Sequence, residues 1–340
     1  MDFTPIARVG EFGLIDRLAD TLGTPEAPAL VRGIGDDAAV YRIGDGRVHV
    51  VTTDALIEGV HFDRTFTPLR YLGFKALAVN VSDVCAMNAQ PRYATVALGL
   101  PTNVSVEGME ALYLGLRDAA SRYGLAVIGG DVTAAKALTL SVTVIGEASE
   151  DAVVYRSGAQ PGDLLCVTGD LGSAYAGLKI LLGEKDAFTD PDGPQPDLTE
   201  FAYIVQRQLY PQARLDAVRA WADAGVRPTA LIDLSDGLAS EVHHLARASG
   251  VGMEVEVGLL PAHAQTVLAA QRFDEAPDGY ALYGGEDYEL LFTLPEAAAA
   301  KLDADTFAVL GRVTDADAGL VLKLPDGGAM PLEASGFQHF

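Results

Sequence analysis

Residues 33–40 read GIGDDAAV. Gly33, Gly35 and Ala38 fall at the spacing of the dinucleotide fingerprint G-x-G-x-x-A, which would open a Rossmann sheet. Two features reject that fold. Asp36 and Asp37 would set negative charge against a pyrophosphate, and AVYRI (39–43) reads as strand where the fingerprint requires helix. A second phosphate signature also fails. GSAYAGLK (172–179) has the outline of a P-loop, but Leu178 separates Gly177 from Lys179 and no Ser or Thr follows. Protein-kinase landmarks are absent. Any ATP site must be built by another scheme.

Working outward, apolar runs and alternating segments mix along the chain, which predicts an α/β or α+β protein. Helices are expected at Gly10–Leu22, Pro68–Met87, Ser105–Tyr123, Gly172–Leu182 and Leu238–Ser249. Strands are expected at Val48–Thr53, Ala94–Leu100, Leu125–Ile128, Leu138–Gly146, Asp163–Thr168, Thr229–Asp233 and Tyr288–Leu294. Turn formers in SEDAVVYRSGAQPGD (149–163) place a boundary near 150, giving domains 1–150 and 151–340. The Pro- and Asp-rich stretch 184–200 reads as a loop without a catalytic part.

Composition narrows the function. With 47 acidic against 24 basic residues, the net charge is −23, which argues against nucleic acid as partner. No run is apolar enough to span a bilayer, and the N-terminus lacks the pattern of a signal peptide. Cys85 and Cys166 are the only cysteines, too few for a zinc pattern or disulfide framework, so a cytoplasmic setting is expected. Both read as small core residues, Trp221 as packing, and His243 and His244 as solvent-facing. Lys75 reads equally as a helix-face cation or a phosphate contact.

Five segments repeat one theme: GIGDDAAV (33–40), TTDALIEGVHF (52–62), NVSDVCAM (80–87), IGGDVT (128–133) and IDLSDGL (232–238). Each sets Asp at a strand end or beside Gly, Ser or Thr. A lone Asp there is an ordinary cap or turn residue. Five recurrences suit hard cations, because magnesium takes one or two carboxylates and fills its octahedron with water and phosphate oxygens. An acidic protein can then handle anionic substrates, with the metal ions carrying the positive charge.

Together with GEFGLIDRL (10–18), KALAVNVSDVCAM (75–87), RSGAQPGD (156–163) and GGEDYELLFT (284–293), these segments resemble the thiamine-monophosphate kinase family. GIGDD is shared by the wider aminoimidazole-ribonucleotide-synthetase-like superfamily, whereas TTD…GVHF with GGEDYEL is more specific to the kinases. The resemblance implies an N-terminal α+β domain that binds ATP and pairs in a homodimer, followed by a C-terminal α/β domain. It implies several Mg2+ ions, ATP as co-substrate and thiamine monophosphate as acceptor. The implied metal ligands are Asp37, Thr52, Thr53, Asp54, Asp83, Asp131, Asp233 and Asp236, with Asp54, Asp83, Asp131 and Asp236 central to catalysis. ATP would meet Tyr113, Gly130, Arg156 and Ser235. The acceptor would meet His61, Glu286 and Phe337. Asp36 is either a further ligand or a turn residue. Two alternatives stand beside this reading: another ATP-dependent enzyme of the superfamily, or a non-catalytic nucleotide- or metal-binding paralogue.

Overall fold

The computed structural model describes residues 3–23, 27–188 and 195–334. Phe337 lies outside them. The first half contains α1 (Gly10–Leu22), β1 (Leu30–Arg32), β2 (Ala39–Gly44), β3 (Arg47–Ile57), α2 (Leu69–Ala86), β4 (Gln90–Leu100), α3 (Val106–Tyr123), β5 (Ala126–Ala134) and β6 (Thr139–Ser149). Its strands form one sheet in the order β1-β2-β3-β6-β4-β5. All neighbours are antiparallel except β4 and β5. On β3 the alternation that distinguishes two faces is plain: Val48, Val50, Thr52 and Leu56 are buried while Thr53 and Ala55 face out.

The inner face of that sheet rests on α2, where 14 of 18 residues are buried. A helix apolar all round has no solvent face and must be enclosed. Here α2 shares one apolar cluster with Val48, Val50, Val142 and Val144 of the sheet and with Leu112, Leu116 and Ala119 of α3. Helix α3 starts at Ser105, whose Oγ accepts the Gly108 N–H at 3.1 Å. It crosses α2 at its small residues. A Cβ on Gly73 would stand 2.0 Å from the Leu112 carbonyl oxygen, and one on Gly115 would stand 1.8 Å from that of Arg70. The two helices therefore touch backbone to backbone.

The second half contains β7 (Leu164–Val167), α4 (Ser173–Ala187), α5 (Ala202–Leu209), α6 (Leu215–Ala224), β8 (Ala230–Asp233), α7 (Leu238–Ser249), β9 (Gly252–Glu256), α8 (Ala264–Arg272), α9 (Pro277–Tyr283), β10 (Leu290–Leu294), β11 (Ala308–Thr314), β12 (Leu320–Lys323) and β13 (Ala329–Pro331). These strands form a separate sheet, β13-β12-β9-β11-β7-β10-β8, antiparallel except for β9 with β12. Strand periodicity divides its side chains between two cores. Leu290, Phe292 and Leu294 join the cluster that holds α2, and Trp221 of α6 packs on Phe292 with ring centroids 4.9 Å apart. Leu291, Ile232 and Leu165 turn to the other side, against Leu238, Val242 and Leu245 of α7. Helix α2 thus belongs to the core of both halves.

The expected mixture of helices and sheets holds, with several differences. The strand expected at Leu125–Ile128 runs to Ala134, because β5 pairs in parallel with β4 along its length and carries the IGGDVT motif inside the strand. Helix α4 continues to Ala187, into the stretch read as loop. His243 and His244 are half-buried rather than solvent-facing. The Nε2 of His243 lies 2.7 Å from the Leu332 carbonyl oxygen, and burial pushes His244 down to about 4. Cys85 and Cys166 are fully buried and unpaired. Among the described residues, no helix is long and apolar enough to cross a membrane.

Gly115→Ala must force α2 and α3 apart, since backbone cannot yield as a side-chain end can. Overpacking of this kind costs about 1–3 kcal/mol. Chemical denaturation followed by the fluorescence of Trp221 measures it, and an unchanged midpoint would show that the helices separate without cost.

Candidate active site

Three segments far apart in sequence converge beside α2. Asp37 ends the GIGDD turn ahead of β2, Asp83 lies in the third turn of α2 after Lys75, and Asp233 is the last residue of β8. Each offers a carboxylate oxygen within 4.8 Å of the others. Thr52 on β3 donates its hydroxyl to Asp83 Oδ2 at 2.5 Å. Arg156 donates to both Asp37 oxygens, at 2.6 and 3.2 Å. Asp36 turns the other way, accepting the Arg156 N–H at 3.2 Å and pairing with Arg32 at 3.0 Å, so it acts within the turn.

Burial and mutual repulsion dominate the electrostatics. Asp83 is pushed well above the usual carboxylate range, first by burial and then by the charges of Asp54, Asp233 and Asp37. Asp233 is pushed up to about 8 by burial and by Asp37. Asp54 is raised to about 6 by burial. Carboxylates crowded out of water cannot all ionise unless a cation joins them. Asp233 Oδ2 is buried and makes no hydrogen bond among the described residues. An orphaned carboxylate oxygen facing two further carboxylates is the donor set that a hard cation takes.

Asp83 and Asp233 of the triad line a cleft of about 1370 Å3 between the two halves. The wall from the first half presents Thr53, Asp54, His61, Lys75 and Asp83, and the opposite wall presents Asp233, Ser235, Asp236 and Glu286. Asn80 fixes the first wall: its Oδ1 accepts the Asp54 N–H and its Nδ2 donates to the Ala76 carbonyl, both at 3.0 Å. The Nδ1 of His61 accepts the Ile57 N–H at 3.0 Å, so the neutral ring carries its proton on Nε2. On the second wall, the Glu286 N–H donates to the Ser235 carbonyl at 2.7 Å, tying GGEDYEL to IDLSDGL. Glu286 has φ +67°, a left-handed conformation that costs a side-chain-bearing residue energy and recurs at functional sites. The Asp236 N–H is held by Glu241 Oε1 at 2.9 Å. Tyr175, Tyr283 and Phe66 add apolar surface to the cleft lining.

The structure therefore brings together Asp37, Thr52, Asp83, Asp233 and Arg156 in one cluster, with Asp54, His61, Ser235, Asp236 and Glu286 along the adjoining cleft. Thr53 lines the cleft, although its hydroxyl bonds the Val142 carbonyl at 3.1 Å. Tyr113, Gly130 and Asp131 are not among the cleft-lining residues. Tyr113 is 43% exposed on α3, and Gly130 and Asp131 are exposed on β5, opposite Val96 and Ala97. Lys75, whose role the sequence left open, and Gln208, which motif reading passed over, both face the cleft. A lone Lys inside the apolar run GFKALAV was a usable signal for the first. Nothing in QRQLYP marks the second.

Residues 35–148 match the family described as AIR synthase related protein, N-terminal domain, and residues 160–323 match the corresponding C-terminal domain. Thiamine-monophosphate kinase of Aquifex aeolicus is 36% identical over 339 residues, covering 98% of this chain and 99% of that protein. The enzyme of the same name from Bacillus subtilis is 36% identical over 315 residues, covering 91% and 93%. The solved structure of AaThiL complexed with AMPPCP and TMP superposes with a TM-score of 0.85 at 35% identity, covering all of both chains. With both halves matched and relatives of one activity aligned from end to end, the chain belongs to the thiamine-monophosphate kinase family.

Proposed function

We propose that the protein phosphorylates thiamine monophosphate with ATP, yielding thiamine diphosphate and ADP. The observation that carries this reading is the carboxylate triad with its orphaned Asp233 oxygen, two of its members lining a cleft large enough for two substrates. End-to-end likeness to the thiamine-monophosphate kinases supports the choice of acceptor.

The acceptor phosphate supplies its own nucleophile. A phosphate monoester has its second pKa near 6 and is mostly a dianion at neutral pH, so no side chain need remove a proton. An acceptor oxygen bonds to the γ-phosphorus in line with the departing β,γ-bridging oxygen, and that bond breaks to release ADP. What the protein must do is align two anions and offset their repulsion. Asp37, Asp83 and Asp233, with Thr52, Asp54 and Asp236 beside them, would hold Mg2+, and bound magnesium supplies the positive charge that phosphoryl transfer needs. Arg156 adds fixed positive charge next to Asp37, and Ser235 and Asp236 project from the turn that follows β8. His61 and Glu286 face the space where the acceptor would lie.

The proposal extends to the assembly. Residues 1–150 form the ATP-binding and pairing domain, and 151–340 the domain that completes the cleft. Tyr113 is exposed on α3, and Gly130 and Asp131 are exposed on the edge strand β5, a side of the first half where Ile128 and Val132 are exposed as well. In a homodimer joined through that side, these residues would serve nucleotide binding alongside a second copy. Two buried thiols and the absence of a membrane-crossing helix among the described residues support a cytoplasmic setting.

The decisive assay incubates the protein with ATP, magnesium and thiamine monophosphate. Thiamine diphosphate is expected one-for-one with ADP, and EDTA abolishes it. ADP formed only with formylglycinamidine ribonucleotide would overturn the choice of acceptor, and no ADP with either would favour a binding protein. Light scattering should give twice the chain mass, and a monomer at assay concentration would remove the dimer.

Magnesium binding should carry a pH signature. In the metal-free folded state, Asp83 and Asp233 hold protons that the unfolded chain gives up near 4. The folded state therefore binds more protons between pH 4 and about 8, and its stability falls as pH rises through that window. Magnesium displaces those protons, so the rise in Tm that it produces should be larger at pH 8 than at pH 6. Asp83→Asn should lose that rise, and about 100-fold or more in turnover, the scale of removing one preorganised charge-stabilising group. Equal magnesium effects at both pH values would separate the triad from the metal.

A further inference from the structure

Lys75 lies in α2 between Phe74 and Ala76 and is only 2% exposed. Its Nζ stands 2.8 Å from Glu286 Oε1 and 2.9 Å from Oε2, reaching from the first half of the molecule to the second. Gln208 of α5 joins this pair: its Nε2 donates to Glu286 Oε2 at 2.6 Å, and its carbonyl oxygen lies 3.4 Å from Lys75 Nζ. Gln208 is buried, and its Oε1 has no hydrogen-bond partner among the described residues. A buried amide with an orphaned oxygen is a poor choice for packing alone. What accounts for it is the bond from its other end to Glu286.

Bookkeeping of lone pairs gives this arrangement a direction. A carboxylate has about four acceptor positions. Oε2 of Glu286 receives two donors and Oε1 receives one, on a side chain that is 24% exposed and lines the cleft. Oε1 retains capacity for a donor arriving from the cleft. Lys75, Val79 and Asp83 all line that cleft at four-residue intervals, so one face of α2 carries both ends of the site. Eight residues at 1.5 Å each put Lys75 about 12 Å along the axis from Asp83.

We propose that Lys75 and Gln208 are positioning residues for the acceptor. They hold the Glu286 carboxylate so that Oε1 receives the amino group of a heteroaromatic ring, and α2 sets the distance from that anchor to the carboxylates at the other end. The inference rests on the proposed function, in that Glu286 must contact the acceptor.

The test varies ATP and thiamine monophosphate separately. Lys75→Met should raise KM for thiamine monophosphate by about 10-fold or more, the scale of losing charge-assisted hydrogen bonding. KM for ATP should stay within about twofold, because only uniform binding of the acceptor is affected. Gln208→Leu should move the acceptor KM in the same direction by less. Added to Glu286→Gln, Lys75→Met should have no further effect, since residues acting through one group are not additive. An interdomain tie alone would instead shift both KM values or kcat, and that result overturns the proposal. An unchanged acceptor KM in Lys75→Met overturns it too, even if Glu286→Gln raises that KM and so preserves Glu286 as the acceptor contact. No change in Glu286→Gln removes both that contact and this inference. Should Lys75→Met fail to fold, Gln208→Leu decides alone, and an unchanged acceptor KM there overturns the proposal. Wild-type protein inactive on thiamine monophosphate would instead overturn the proposed function itself.

Discussion

Enclosure of α2 is the constraint on which the rest of the molecule depends. A helix with no face left for water must find apolar partners on every side. The sheet of the first half, α3, and the strands and helix of the second half together provide them. Within the enclosed stretch, most of its few polar side chains find partners. Asn80 bonds the backbone of β3 and of its own helix, Lys75 meets Glu286, and Asp83 meets Thr52 and the other carboxylates. The site is made from the polar exceptions in an otherwise apolar rod.

The charge of −23 looks unsuited to a reaction between phosphates, and the arrangement of carboxylates resolves the conflict. Acidic residues spread over a surface would repel both substrates. Gathered in a buried triad, they are the donor set a hard cation takes, and without one, burial and mutual repulsion favour protons on them that a cation would displace. The raised Asp83 and Asp233, pushed up first by burial, show that preference.

Much of the fold was legible because the two periodicities are clean. Gly10–Leu22 and Leu238–Ser249 match their expected bounds, and AVYRI is a strand, as rejection of the dinucleotide fingerprint requires. Where reading fell short, tertiary pairing was the reason. IGGDVT carries glycines that locally signal a turn, yet pairing with β4 keeps it extended. The acidic theme marks candidate metal ligands, but which carboxylates meet depends on β8 ending beside α2, a long-range fact that no motif encodes. Asp131 shares that theme and, like Tyr113 and Gly130, is not among the residues lining the cleft of the single chain. Gln208 gains its place only through α5 docking, so the sequence around it carries no mark.

The sharing of α2 between both cores has a mechanical side. A wide swing of one half against the other would pull Phe292 and Leu290 away from the helix and expose them. Such a hinge would work against the hydrophobic effect over the whole contact. Even the segment between β3 and α2, tied to α4 by the exposed Lys185–Asp63 pair at 2.6 Å, sinks Phe62 into that same core. The cleft is built less like a jaw than like a fixed bench.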